Sequence, residues 1–555
     1  MIYSAATYKK DFVPMRWLIS GLLLNILVLI PLWWRFTEIT PRLIAWEAWW
    51  LVALFALLPW AAWSLALRGL AVALLLIGVL AGLGEAAAQM ALGRSLNVYL
   101  DLPLLRAIYH LLQGNLGQLA AVLAMVGGAL LVGVVSWGLA RLLANTLAAR
   151  PSGARRWLAA SILAGVTLLT GLEIAGTRLM PAARTPLIDT WRHQAEQVVA
   201  THRARRAFSE RLAESPSPAR PLPGLEGRDV ILAFIESYGV AAVEDARYSH
   251  VLLPTLAEME ERLAAAGLEV ASGVLDAPIR GGQSWLAHAT ALSGLWIDNQ
   301  LWYRLLLDSE QATLVDDFRA TGQRTQALMP AITMLWPEGE AYGFDDIFAA
   351  ADIDYAGPAL HWVTMPDQFV LDYYQRRVRG PQDAPLFTQI ALISSHAPWT
   401  PILPVLEDWE LIGDGSLFAP WEQAGDPPEV LWQEIERIRD HYAWSINYSV
   451  KATARWAERA VDDNALLIML GDHQAAPLIT GEDAGLGVPV HIISGDPALL
   501  APFLERGFAP GSLPPSSEGA AGMDRLRGWL HEDFGEPGAE LAPLDDDQRL
   551  PGATP

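Results

Sequence analysis

Three short apolar runs in the second half of the chain each end on residues able to hold a divalent cation or touch a phosphate. Asp229–Ile235 runs into Glu236, Ala391–Ser395 into His396, and Ala465–Leu470 into Gly471, Asp472 and His473. In an open α/β sheet the ligand crevice lies beyond the carboxyl ends of the strands. Three such strands would deliver a Glu, a His and an Asp-His pair to one edge. Asp472 beside His473 offers one hard and one borderline ligand, which suits Mn2+ or Zn2+ better than Ca2+. Glu236 adds a second oxygen donor for a hard cation. Between the first two runs lies Arg280-Gly-Gly-Gln-Ser284, followed by the helical stretch Trp285–Leu292. A serine opening a helix after a glycine pair sits where backbone N–H groups and the helix dipole favour anions. A free serine hydroxyl is a weak nucleophile, and contact with a divalent ion lowers its pKa. The plainer reading of Ser284 is an N-cap. His396 can meet a phosphate or a leaving group. The remaining histidines are background, with His491, inside a strand at 488–493, the one most easily mistaken for a ligand.

These residues need a scaffold, and composition narrows it. The 555 residues are 52% hydrophobic, and the mean hydropathy of +0.25 is too high for an ordinary soluble enzyme. Residues 1–177 carry 12 Lys and Arg against 6 Asp and Glu, and the rest 27 against 55. So acidic a remainder argues against nucleic acid as a partner. With 0 cysteines, disulfides, thiol nucleophiles, Cys-ligated zinc and iron–sulfur clusters are excluded.

The apolar excess predicts five spanning helices, near 17–34, 44–66, 69–92, 118–140 and 157–177. The first is too long, and lacks the cleavage site, for a removable signal. Lys9, Lys10 and Arg16 flank it, so the N-terminus is expected inside. Five crossings then put Arg68, Arg141, Arg150, Arg155 and Arg156 inside, leave Arg35, Arg42, Arg94 and Arg106 outside, and place the C-terminal part beyond the cytoplasm. Residues 104–112 are expected to lie as an interfacial helix on the outer face. Glu47, Glu85 and Glu173 fall in or beside spans, where a carboxylate either packs against neighbours or meets a lipid headgroup.

The expected organisation is a membrane domain at 1–177, a helical and Pro-rich linker at 178–228, a catalytic domain at 229–539, and a disordered acidic tail at 540–555. Helical patterns at 256–266, 314–321 and 432–460 alternate with strand patterns at 268–274 and 488–493. The predicted fold class is therefore α/β, a mostly parallel sheet flanked by helices.

The ordered set Glu-Ser-Tyr-Gly (236–239), Gly-Gly-Gln-Ser (281–284), Ser-Ser-His-Ala-Pro (394–398) and Gly-Asp-His (471–473) resembles the sulfatase-type branch of the alkaline phosphatase superfamily. Within it, the set looks like lipoteichoic acid synthases and periplasmic glucan phosphoglycerol transferases, which also place an extracytoplasmic catalytic domain after five spans. The resemblance implies one divalent metal on Glu236, Asp472 and His473, Mn2+ first, with Zn2+ or Mg2+ possible. It puts Ser284 where the family has a threonine nucleophile and His396 where a histidine touches the headgroup. Trp336 fits the family's Trp-x-Arg segment, although Glu338 stands where that segment has arginine. His288, four residues after Ser284, is a further expected substrate contact. True sulfatases are similar in spacing, but Trp285-Leu-Ala-His288 lacks the Pro and Arg that follow their nucleophile.

The leading expectation is a bacterial inner-membrane phosphotransferase with a periplasmic site. It would take a headgroup, phosphoglycerol or similar, from a phospholipid donor onto Ser284 and pass it to a glycan or lipid hydroxyl. The alternatives are a hydrolase with water as acceptor, a phosphoethanolamine transferase, and a non-catalytic membrane scaffold.

Overall fold

The computed structural model describes residues 13–36, 42–59, 62–102, 105–146, 153–177, 179–180, 182–214, 217–380 and 384–536. The tail expected at 540–555 lies outside these, as do Lys9, Lys10 and Arg150. The chain forms two compact units, residues 1–90 with 94–202, and 91–93 with 203–555.

In the first unit, helices α1 (Val13–Phe36), α2 (Trp46–Leu57), α3 (Ala62–Leu92), α4 (Leu105–Thr146) and α5 (Gly153–Ile174) follow one another. Among the described residues four segments are long and apolar enough to cross a membrane: Met15–Arg35, Trp63–Leu92, Gly117–Thr146 and Gly153–Ile174. The second expected span, 44–66, is corrected. Helix α2 has 12 residues, a length of about 18 Å at ~1.5 Å per residue, against a hydrocarbon core of about 30 Å. Both of its ends have identifiable causes. Ile44 and Ala45 pair in parallel with Ala183 and Arg184, and the buried Asn25 accepts from the Ala45 N–H at 2.7 Å and donates to the Leu43 carbonyl at 2.9 Å. At the other end Leu58 turns to ψ 136°, the extended conformation that a following proline, here Pro59, imposes.

Helix α4 includes 105–112 of the segment 104–112, where an interfacial helix was expected, and is interrupted at Gly117 with φ 78°. The three carboxylates all have protein partners. Glu47 accepts from Leu187 and Ile188 N–H at 3.0 and 3.2 Å, the first turn of helix α6 (Pro186–Glu214). Glu85 accepts from Leu96 N–H at 2.7 Å, and Glu173 from the Trp46 indole at 2.9 Å. These carboxylates pack, which is the plainer of the two expectations.

The second unit holds a nine-stranded sheet. Its strands are β1 (Asp229–Ile235), β2 (Glu269–Asp276), β3 (Arg324–Met329), β4 (Asp346–Ala349), β5 (Leu386–Leu392), β6 (Ala465–Gly471), β7 (Gly487–Ser494), β8 (Ala509–Pro510) and β9 (Ala521–Gly522). The order is β8-β2-β7-β6-β1-β5-β3-β4, with β9 beside β2. From β6 to β4 every pair is parallel, and β7 runs antiparallel to β6 and β2.

Strand β1 shows why the sheet is buried on both faces. Ile231, Ala233 and Ile235 join one core, while Val230, Leu232 and Phe234 join the other, as the two-residue period of a strand requires. Helices α7 (Ala246–Ala265) and, later in the chain, Ile435–Ala460 cover the first face through Leu252, Leu256, Tyr442 and Ile446. Helix α8 (Ser284–Ser293), helix α9 (Leu314–Thr321) and the C-terminal helix Arg525–Phe534 cover the second through Leu286, Phe318 and Leu530. Helix α8 is buried on nearly every side, with Leu286, Ala287 and residues 289–293 all buried.

Candidate active site

Strand β1 lies between β5 and β6, and Ile235 is in register with both Leu392 and Gly471. The three strand exits are therefore level, and Glu236 and Asp472 leave the sheet side by side. The chain turns at once at Ser237, whose φ of 58° is uncommon for a residue with a side chain. That turn lets the Ser237 N–H reach Asp472 Oδ1 at 2.7 Å, and the His473 N–H reaches the same oxygen at 2.7 Å. Both backbone donors are spent on Oδ1, and Oδ2 lies 3.9 Å from His473 Nε2. The Ser237 hydroxyl donates to Glu236 Oε1 at 3.0 Å, and the Ser395 hydroxyl to the Glu236 carbonyl at 2.6 Å. So close an approach needs Gly471: a Cβ there would lie 1.9 Å from the Tyr238 carbonyl oxygen.

His473 Nδ1 lies 2.9 Å from the Gln474 carbonyl, which as acceptor holds the ring proton on Nδ1 and leaves Nε2 facing Glu236 Oε1 at 3.4 Å. The same carbonyl accepts from the Gly281 N–H at 2.9 Å. Gln474 thus anchors both the imidazole and the loop that delivers Ser284. That loop turns at Gln283, with φ 67°, and Ser284 opens α8. The Ser284 hydroxyl donates to Glu236 Oε2 at 2.9 Å, and its Oγ lies 3.3 Å from His473 Nε2.

The electrostatics of this cluster are those of a cation site. Ligand atoms of Glu236, Asp472 and His473, all three buried, lie within 4.8 Å of one another. Burial and then the neighbouring Glu236 charge push Asp472 up to about 8. Burial also opposes ionisation of Glu236, but the hydrogen bond and charge of His473, and then the charge of His396, hold it below the usual carboxylate range. Against its own burial, His473 is pushed up to about 9 by Asp472 and Glu236. Among the described residues the only ion pairs either carboxylate makes are with His473. The cluster therefore takes up positive charge, from a proton or from a metal, and two carboxylates with one imidazole fit a divalent cation.

The other expected residues are placed less uniformly. His288 lies one turn beyond Ser284 on α8, half-buried, its ring centroid 4.1 Å from that of Phe234. Burial lowers it to about 4, so it is neutral near pH 7. His396, half-buried, stacks with Trp362 at 6.1 Å. No direct hydrogen bond joins it to the cluster among the described residues, although its charge reaches Glu236. Trp336 packs on Gly339 at the start of the helix Pro337–Tyr342 and against the core on the second face of the sheet. His491 bonds the Tyr238 hydroxyl at 3.0 Å and Ser272 Oγ at 2.8 Å, away from the cluster.

Four positioning residues were not foreseen from the sequence. Ser237 and Gln474 act largely through their backbones, which no residue type signals. Asp367, buried at the start of helix α10 (Asp367–Tyr373), accepts on Oδ1 from Ile393 and Ser394 N–H at 2.7 and 2.9 Å. Its own N–H donates to Ser394 Oγ at 2.8 Å. It fastens the turn that carries His396. Helix α11 (Ile435–Ala460) contributes Tyr442, whose hydroxyl donates to the Ser237 carbonyl at 3.1 Å.

No family model and no curated protein matches the chain. Among solved structures it is similar to the integral membrane lipooligosaccharide phosphoethanolamine transferase A of Neisseria meningitidis, at 14% identity over 82% of this chain and 83% of that one, with a TM-score of 0.42. It is similar to the lipoteichoic acid synthase LtaP of Listeria monocytogenes, at 11% identity over 57% and 74%, with a TM-score of 0.35. It is also similar to the Streptococcus pyogenes phosphoglycerol transferase GacH, solved with sn-glycerol-1-phosphate, at 13% identity over 61% and 80%, with a TM-score of 0.36. At such scores the likeness carries no weight beyond itself, and the geometry of the cluster bears the functional reading.

Proposed function

We propose that the chain is a metal-dependent, membrane-anchored phosphotransferase. It moves a phospholipid headgroup, phosphoglycerol or a similar group, through a Ser284-linked phosphodiester to a glycan or lipid hydroxyl. The observation that carries this reading is the Ser284 hydroxyl, 2.9 Å from Glu236 Oε2 and 3.3 Å from His473 Nε2, at the start of a helix. Glu236, Asp472, His473 and Ser284 Oγ would hold one divalent cation, Mn2+ first and Zn2+ or Mg2+ next by the mix of oxygen and nitrogen donors. Bound there, the cation supplies positive charge that acidifies the serine hydroxyl and offsets charge on the phosphoryl oxygens.

The chain's own groups do the rest. Glu236 Oε2 accepts the hydroxyl hydrogen bond and so turns a lone pair of Ser284 Oγ outward. The first-turn N–H groups of α8 favour the anionic phosphate. The Ser284 hydroxyl proton passes to water as the Oγ–P bond forms, the P–O bond to the diacylglycerol breaks, and His396 gives the departing oxygen a proton. In the second half-reaction His396 takes the proton of the acceptor hydroxyl, which displaces Ser284 Oγ, and that oxygen regains its proton from water. His288, on the same face as Ser284, contacts the headgroup as a neutral imidazole. Headgroup binding by Trp336 rests on the family resemblance alone.

Location follows from charge. Arg141, Arg155 and Arg156 flank the connection between the last two spans, which marks it as cytoplasmic. The final span then carries the catalytic unit to the outer, periplasmic side of a bacterial inner membrane, and four crossings would start the chain on that same side, not inside as expected from Lys9, Lys10 and Arg16.

The test is full-length protein in bilayers containing headgroup-labelled phospholipid and Mn2+, with and without a glycan. Label on the glycan, matched by released diacylglycerol, is expected. Free headgroup released at the same rate without acceptor would show hydrolysis instead.

A further inference from the structure

The carboxyl edge of the sheet carries an apolar rim that the proposed chemistry does not use. After β3 the chain runs from Met329 to Pro337 with Thr333 as its one polar side chain. Its tip is bare: Met334 is 65% exposed and Leu335 98%. This segment is held rather than loose. The Ala350 N–H donates to the Ile332 carbonyl at 2.9 Å, and the Thr364 hydroxyl to the Pro330 carbonyl at 2.6 Å, so the loops after β3 and β4 are tied together. The loop after β4 presents Trp362, 40% exposed, with its ring stacked on His396. Trp285, next to Ser284, is 39% exposed, its indole fixed by Gln300 at 2.9 Å. Trp432, 43% exposed, stacks on Trp399 and donates to the Pro398 carbonyl at 3.3 Å.

Bare aliphatic and indole side chains are costly to present to water and are the residue types that seat proteins at a bilayer surface. Here four separate segments present them, and three adjoin groups of the reaction site: Trp285 beside Ser284, Trp362 over His396, and Trp432 against the His396 loop. A chain with four membrane-length helices is never far from a bilayer. We infer that this rim, led by Leu335, dips into the lipid surface, so that the donor's acyl end stays in the bilayer while its phosphodiester enters the site. This rests on the reading of the donor as a phospholipid and adds the surface by which that lipid is taken.

The absence of cysteine makes a direct test clean. Full-length Leu335→Cys is labelled with an environment-sensitive fluorophore and placed in phospholipid nanodiscs carrying nitroxide lipids. Leu504→Cys is the reference, in the helix Ala501–Glu505 after β7, at the opposite edge of the sheet. A blue shift and nitroxide quenching at 335, with neither at 504, are expected. Equal exposure of both labels to aqueous iodide overturns the inference, and so does self-quenching at 335 that scales with protein density, which would mean a second copy covers the rim.

Activity gives a second arm. Leu335→Asp should raise the KM for donor lipid in bilayers about tenfold and leave turnover of a short-chain, water-soluble donor unchanged. Equal loss on both donors contradicts the inference. If wild type turns over neither donor, the transferase reading fails, while the quenching result still decides where the rim sits.

Discussion

Asp367 offers a prediction whose size can be worked from the structure. Its carboxyl is buried, and Oδ1 takes the N–H groups of Ile393 and Ser394, the turn that sets His396. Burial pushes it from 3.8 up to about 6, although Ser449 and Ser394 work against the shift. With the folded value above the unfolded one, the native state holds a proton that the unfolded chain releases. Stability is therefore greatest below the unfolded value and is lost as pH rises from about 4 through about 6. A shift of this size corresponds to about 3 kcal/mol. Asp367→Asn keeps the Oδ1 acceptor and removes the charge, so it should be more stable than wild type above pH 6 by up to ~3 kcal/mol, with no titration between pH 4 and 6. Asp367→Ala leaves two buried N–H groups unpaired at about 1–3 kcal/mol each. It should be destabilised at every pH and slow in headgroup transfer, with metal content unchanged. Thermal unfolding of the full-length protein in detergent from pH 4.5 to 8 is the assay. Parallel pH profiles for wild type and Asp367→Asn, or an alanine variant as stable and active as the asparagine one, would refute the reasoning.

Other outcomes follow from the same geometry. Chelation should lower the thermal midpoint and added Mn2+ restore it, by about 2.7 kcal/mol at one hundred times the dissociation constant; a midpoint indifferent to both contradicts a metal on Glu236, Asp472 and His473. Gly471→Ala forces a Cβ to within 1.9 Å of the Tyr238 carbonyl oxygen and 2.8 Å of its carbon, both backbone atoms. It should cost bound metal, read by elemental analysis, along with stability. His288→Ala should raise KM for the lipid donor severalfold with metal content intact, while His288→Asn, which keeps a neutral polar group, should recover part of the loss.

Much of this architecture was legible in the sequence because the signals are local. The runs 229–235 and 465–470 are apolar without alternation, as strands buried on both faces must be, and each ends abruptly on a ligand-type residue. The helices expected at 314–321 and 432–460 are found at Leu314–Thr321 and Ile435–Ala460, and the first carries a Thr313/Asp316 capping box. The second span was misjudged because hydropathy reads through Pro59, and because the pairing of Ile44 and Ala45 with residues 139 positions away is invisible locally. At the site, Glu236, Asp472 and His473 were legible as residues at strand ends, whereas Ser284 was read as opening a helix and given its role by the family resemblance. The supports did not: Ser237 and Gln283 adopt positive φ under tertiary constraint, Gln474 works through a carbonyl, and Asp367 reaches His396's turn from 26 residues upstream.

The central claim is that Ser284 is the atom on which the headgroup rests. Intact mass spectrometry of full-length protein, quenched during incubation with headgroup-labelled phospholipid and Mn2+, tests it most directly. Wild type should gain the mass of one headgroup phosphate, mapped to Ser284, and Ser284→Ala should gain none while retaining its metal. An adduct of the same mass on Ser284→Ala would contradict it.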